Sequence, residues 1–276
     1  MVANPSTAPH RSNALIDAVT PLRRILILGT LLLGCCLTPS RTWATAFDRE
    51  HGLLDAVLKR HVRNARVDYA ALRSQPEGLK QYLTAVRQVT RAEFKAWSEA
   101  DQIAFLCNAY NAHTLRLILD HYPVKSIQDI GSILKGPWDQ PVVQLFGDTR
   151  TLNDLEHRML RVDYAEPLIH FALVCAAKGC PPLRAEAFVG SRLGEQLADQ
   201  ARAFLAETAK NRIDPERRTV YLSPIFKWYG TDFEAKGSSV LSRLQPYWRE
   251  EWRALSLKGF KLRYTKYDWS LNDRDP

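Results

Sequence analysis

Residues with chemical capacity gather in two short stretches. The first is Ile169-His-Phe-Ala-Leu-Val-Cys175, closed by Ala-Ala-Lys-Gly-Cys180-Pro-Pro182. A thiolate at Cys175 would be a nucleophile once an imidazole relieved it of its proton. Two thiols this close also suit a small disulfide clasp, and a cysteine on an apolar run can simply fill the core. The second stretch is Leu152-Asn-Asp-Leu-Glu156-His157-Arg-Met-Leu-Arg161, where a carboxylate and an imidazole are adjacent. On a helical wheel of roughly 100° per residue, Glu156 projects between Leu155, Met159 and Leu160. Asn153-x-x-Glu156 fits a capping box, in which the glutamate turns back to the cap amide. The alternative is a partly buried carboxylate holding an imidazole, as in thiol and serine hydrolases. His157 borders Leu160 and Arg161 and faces either a cleft or solvent.

The elements that carry these groups limit what each can reach. Branched and aromatic residues over 169–174, followed by Gly and paired prolines, predict a buried strand that delivers Cys175 to a loop. Five residues before Cys175, His170 would point to the opposite face of a regular strand. It would need a bulge to touch the thiol and otherwise reads as a satisfied core histidine. His157 is therefore the better base for Cys175, with Glu156 to orient it. His157, His170, Cys175 and Cys180 are able to bind zinc, but their spacing matches no compact zinc signature, so neither a metal nor a cofactor is expected.

Around these stretches the pattern predicts helices over 47–62, near 76–89, from Ser98 through His121, over 154–161 behind Asn153, and over 191–209. Thr90 and Ser98 read as N-caps, with Glu93 and Asp101 three residues on. The helix ending at Pro123 is apolar almost all round, which makes Asn108 and Asn111 buried amides sharing a face. They either bond neighbouring loop backbone, or one of them orients a histidine or donates to an oxyanion. Hairpins are expected around Gly147-Asp-Thr149 and around Asp214-Pro-Glu-Arg, followed by an aromatic loop, Ser223 to Gly230, and an extended end, Lys261 to Trp269. The fold class is α+β: a helix-rich single domain, 47–276, around a small, largely antiparallel sheet, with a cysteine-protease-like arrangement in prospect. Trp138, Trp228, Tyr229 and Trp269 are either ligand anchors or core.

Residues 1–46 differ in composition from the rest. Arg23-Arg24 precede an uncharged run, Ile25 to Leu37, that falls short of the roughly 20 residues needed to span a bilayer. With Ala44-Thr-Ala46 as a small-residue cleavage site, this predicts an export signal, a chain starting at Phe47 and a periplasmic or secreted location. Leu32-Leu-Gly-Cys35 offers the alternative of a lipoprotein anchored through Cys35, the only membrane contact foreseen besides the signal. Four arginines against one aspartate in this segment leave +5 of the full chain's +8 on the remainder. Those charges are dispersed, with no arginine-rich or aromatic-interleaved stripe, so nucleic acid is not an expected partner. Cys107, Cys175 and Cys180 remain beyond the signal, and no C-x-x-C redox pair occurs. Cys107 reads as a core hydrophobe.

In order along the chain, Asn108-Ala-Tyr-Asn111, Glu156-His-Arg-Met-Leu-Arg161, His170-Phe-Ala-Leu-Val-Cys175, Ser223-Pro-Ile-Phe-Lys-Trp-Tyr229 and Tyr267-Asp-Trp-Ser-Leu-Asn272 resemble segments of the family known as domain of unknown function 547. The resemblance implies Glu156 and His157 as a pair and Cys175 as the matching cysteine. Plant-type relatives often carry serine where Cys180 stands and lack the histidine at 170, so the resemblance does not require a disulfide. The thiol at a predicted strand end and the Glu-His pair within a helix lead to the expectation of an exported cysteine-dependent hydrolase or acyl-transfer enzyme acting on a small molecule or an envelope amide or ester, the envelope following from the export signal alone. Cys175, His157 and Glu156 would be catalytic, supported by Asn108, Asn111, His170, Trp228 and Tyr229. The competing expectation is a non-catalytic envelope binding or scaffold module with a Cys175–Cys180 disulfide.

Overall fold

The long helix Glu99–His121 is the element on which the others are laid. Its surface is buried from Ile103 to Leu119 except at Arg116, so it needs neighbours on every side. Tyr69–Ser74, Glu77–Gln88 and, later in the chain, Leu193–Ala206 pack on it, Arg91–Lys95 reaches it through Phe94 on Phe105, and Gly52–His61 packs on Glu77–Gln88. The expected caps form: the Ser98 hydroxyl accepts from the Asp101 amide at 3.1 Å and the Thr90 hydroxyl from Glu93 at 3.1 Å. Each satisfies an N–H that the first helical turn leaves without a partner. The computed structural model describes residues 46–132, 135–234 and 237–274. The export segment, its cleavage site and the Cys35 alternative lie outside the described residues, apart from Ala46. Among the described residues no helix is long and apolar enough to cross a membrane.

The α+β class holds, but among the described residues three small sheets replace the single one expected. Val62–Arg63 pairs with Arg66–Val67, and Val143–Leu145 with Asp148–Arg150, both antiparallel. The second hairpin turns on Phe146 and Gly147, both at positive φ, so its loop comes earlier than predicted. Arg212–Asp214 runs antiparallel to Thr219–Leu222, which pairs in parallel with Lys261–Tyr264.

Residues 169–174 do not form the predicted strand. Pro167–Phe171 is a 3₁₀ helix, started by Pro167 and by the Glu166 carboxylate accepting from the Leu168 amide at 2.9 Å. An apolar run of this length is compatible with either state, and backbone partners decide between them. Here the partner is a side chain: Asn111 donates to the Ala172 carbonyl at 2.9 Å and accepts from the Val174 amide at 2.9 Å. One amide thus does for this segment what a neighbouring strand would have done.

Past Tyr264 the chain continues as a strap across the molecule. The amides of Lys178 and Gly179 donate to the carbonyls of Ser270 and Asp268 at 2.8 and 2.7 Å, and the Asn272 amide donates to Ala176 at 2.8 Å. Val67 donates to Asn272 at 3.0 Å and accepts from Arg274 at 2.8 Å, which ties the N-terminal helices to the same strap.

Candidate functional site

Glu156 and His157 sit on a widened turn. Residues Asp154–Leu160 form a π-helix, closed by the Arg161 amide donating to the Glu156 carbonyl five residues back. Such a turn holds more residues than an α turn, so successive side chains diverge by less than the wheel assumed, and Glu156 and His157 open onto one cavity. Asn153 is not the cap. The Asp154 carboxylate accepts from the Thr151 amide at 2.9 Å while the Thr151 hydroxyl accepts from the Asp154 amide at 3.0 Å, and Asn153 instead donates to Asp139 at 2.7 Å. Because Thr151 and Asp154 close the box, Glu156 is released inward, where it is buried.

Tyr110 and Tyr229 line the cavity beside Glu156. Burial first, and the adjacent carboxylate with it, push both phenols upward, so they stay protonated donors. His157 has a different partner from the one expected. Its Nδ1 is 2.9 Å from Nη1 of Arg161, and a guanidinium can only donate, so Nδ1 accepts and the neutral ring carries its proton on Nε2.

Arg161 in turn grips Asp232 with two bonds, Nε to Oδ2 at 2.6 Å and Nη2 to Oδ1 at 2.8 Å. His170 Nε2 lies 2.7 Å from the same Oδ2. The Arg161 guanidinium, followed by His170, holds the Asp232 carboxyl well below the usual carboxylate range. An ionised carboxylate accepts, so His170 donates from Nε2, and Nδ1 is the nitrogen left to take a proton. The His170 ring also stacks on Tyr229, with centroids 4.1 Å apart.

Cys175 and Cys180 are joined as a disulfide. The Tyr267 hydroxyl lies 3.2 Å from each sulfur and covers the pair. Gly179 makes this possible: a Cβ there would come within 2.9 Å of the backbone of Asp268 and of the Tyr267 ring, so only glycine lets the strap approach. Cys107, by contrast, is buried and free, and burial pushes its thiol well above the ordinary range, as suits a core residue.

The cavity above these groups has a volume of about 250 Å³. Glu156, His157, His170, Cys175 and Cys180 line it, together with Tyr229 and Trp228. Trp138, Tyr267 and Trp269 complete an aromatic wall. Asn108 and Asn111 do not line it. Asn108 donates to the Phe188 carbonyl at 2.7 Å and accepts from the Phe188 amide at 3.0 Å, so both amides clasp loop backbone and neither is offered to an oxyanion. Among the described residues no group of three or more His, Cys, Asp or Glu is arranged to hold a metal ion.

Asp232, Tyr110 and Tyr267 were not read from the sequence as site residues. Arg161 carried a local signal, since it follows His157 at the i, i+4 spacing that makes helical neighbours. Asp232 follows the aromatic loop directly, in Gly230-Thr-Asp232, but nothing local links it to His170.

Residues 94–205 match the family described as protein of unknown function, DUF547, in agreement with the motif resemblance. The matched stretch contains the long helix, the π turn and the cysteine loop, while Trp228, Asp232 and Tyr267 lie beyond it. No curated protein and no solved structure matches the chain.

Proposed function

We propose that the cleft is the site of an exported cysteine-dependent hydrolase or acyl-transfer enzyme, at rest with its nucleophile stored in the Cys175–Cys180 disulfide. One observation carries the reading: a cysteine, an imidazole backed by a carboxylate and a second imidazole with a free N–H line a single aromatic cavity. Convergence of such groups in one concave site is what acyl transfer requires. The roles differ from those expected of His157 and Glu156. His170, held by Asp232, is the base through Nδ1, and His157, with Nδ1 taken by Arg161, is a donor through Nε2–H.

A dithiol reductant would convert the disulfide to two thiols and leave as its own disulfide. The Cys175 thiolate then adds to the carbonyl carbon of an amide or ester, and its proton rests on His170. That proton passes to the departing amine or alcohol as the C–N or C–O bond breaks and a thioester remains. Water hydrolyses the thioester, or a second nucleophile takes the acyl group. The Nε2–H of His157 is available to the developing oxyanion. Export, read from residues 1–46, is what makes an envelope amide or ester the substrate class and the periplasm or exterior the location.

A second reading, a binding or scaffold module, is favoured by the disulfide itself, closed and covered by Tyr267. Thiol reactivity separates the two. After mild reduction of the folded chain, the enzyme reading expects Cys175 to alkylate before Cys180, with a midpoint below the ~8.5 of a free thiol. His170→Gln should raise that midpoint more than His157→Gln does. Equal, sluggish alkylation of both thiols, together with an unchanged phenotype in Cys175→Ser, would leave the scaffold.

A further inference from the structure

We infer that the cleft takes an organic cation, an alkylammonium or quaternary ammonium group seated against Glu156 and the aromatic wall. The inference rests on the cleft being the ligand site and not on the thiol chemistry proposed for it. Its first support is the balance of charge. The chain carries 38 Lys and Arg against 30 Asp and Glu, yet among the described residues neither Lys nor Arg lines this cavity. Glu156 is only 6% exposed, and Tyr110 and Tyr229, which line the cavity with it, bring no charge to offset it. Arg161 is the cation behind the wall, but both of its bonded edges are spent on Asp232 and His157. A buried carboxylate that faces a cavity with no basic side chain in its described lining favours an incoming cation over an incoming anion.

The second support is independent of that carboxylate. Tyr267 packs on Trp269 with centroids 4.5 Å apart and on Trp228 at 4.9 Å, while Trp138 meets Trp269 at 5.9 Å. These rings form one continuous wall, and the faces of such rings are negative. Trp228 stands 47% exposed where it borders the cavity, unusual for so large an apolar side chain. Aromatic walls beside a carboxylate are the chemistry that recognises quaternary ammonium. A volume of about 250 Å³ suits a trimethylammonium head rather than an extended polymer segment.

The test is calorimetric titration of the oxidised full chain, in which no thiol of the cleft is free, with choline and with its uncharged isostere 3,3-dimethyl-1-butanol. Choline should bind at least about tenfold more tightly, the scale of a desolvated cation–π contact. Glu156→Gln keeps the size and polarity of the side chain without its charge and should bring the ratio close to one. Trp228→Ala removes a half-exposed ring, leaves the fold intact by its melting curve and should weaken choline several-fold. Equal affinity for both probes, or a ratio unchanged in Glu156→Gln, overturns the cation while leaving the cleft as a ligand site. Failure of choline to bind also overturns it, and thiol labelling then judges the enzyme reading separately.

Discussion

His170 Nε2 lies 2.7 Å from Oδ2 of Asp232, a partner 62 residues later in the chain. The carboxylate that holds an imidazole of the cleft is Asp232 behind His170, rather than Glu156 beside His157. Arg161 completes it, so two charged or titratable side chains share one carboxylate.

Asp232→Asn should cost about 1–3 kcal/mol at pH 7, the scale of hydrogen bonds to a charged group. The Asp232 carboxyl is held below its unfolded value, chiefly by Arg161, so its stabilising effect is complete above about pH 4 and is lost as pH falls below that. Urea midpoints of the wild type and Asp232→Asn should therefore differ at pH 7 and converge under acid. A constant gap from pH 7 to pH 2 would refute the assignment.

His51 and His113 give the fold a second acid sensitivity, away from the cleft. Burial lowers each to about 4 against an ordinary 6.5, with Asp48 and Asp101 opposing part of the effect at His51. The unfolded chain then binds protons that the folded chain refuses, so stability is full above about pH 6.5 and declines toward pH 4 by an amount on the order of 3 kcal/mol per histidine. His113 Nε2 has no hydrogen-bond partner among the described residues. His113→Leu should accordingly be neutral or stabilising at pH 7 and flatten the slope between pH 6.5 and 4. Thermal melts across that range check both statements.

Asn111→Ala should strand the Ala172 carbonyl and the Val174 amide, each at a cost of about 1–3 kcal/mol. Hydrogen exchange at Val174 is the local readout and should quicken markedly in the variant. Unchanged protection there would mean that the segment does not depend on Asn111.

Gly179→Ala should force the strap off the cysteine loop, because the new Cβ meets the backbone of Asp268 at 2.9 Å. A destabilisation of about 1–3 kcal/mol is expected, as for other overpacked sites. In the same variant Tyr267 loses its hold over the two sulfurs, so a dithiol should reduce the disulfide faster in the folded chain. Wild-type reduction kinetics would show that the strap tolerates the methyl group.

Features governed by neighbouring residues were legible in the sequence. The caps at Thr90 and Ser98, the all-round burial of the long helix, the hairpin near Gly147 and the chemical content of both motifs obey rules that act within a few positions. Cys175, His157, Glu156, His170, Trp228 and Tyr229 do line one cavity. Tertiary structure decided everything that depends on a distant partner. Residues 169–171 close a 3₁₀ helix and 172–174 leave it with their backbone bonded to the Asn111 amide, and that change removed the strand geometry that had turned His170 away from Cys175. Asp232 reached His170, and Tyr267 reached Cys175 from 92 residues away, through a chain path that carries no local periodicity. Apolar patterning specifies which residues go inside, whereas the partner of each buried polar atom is settled only when the packed chain brings the two together.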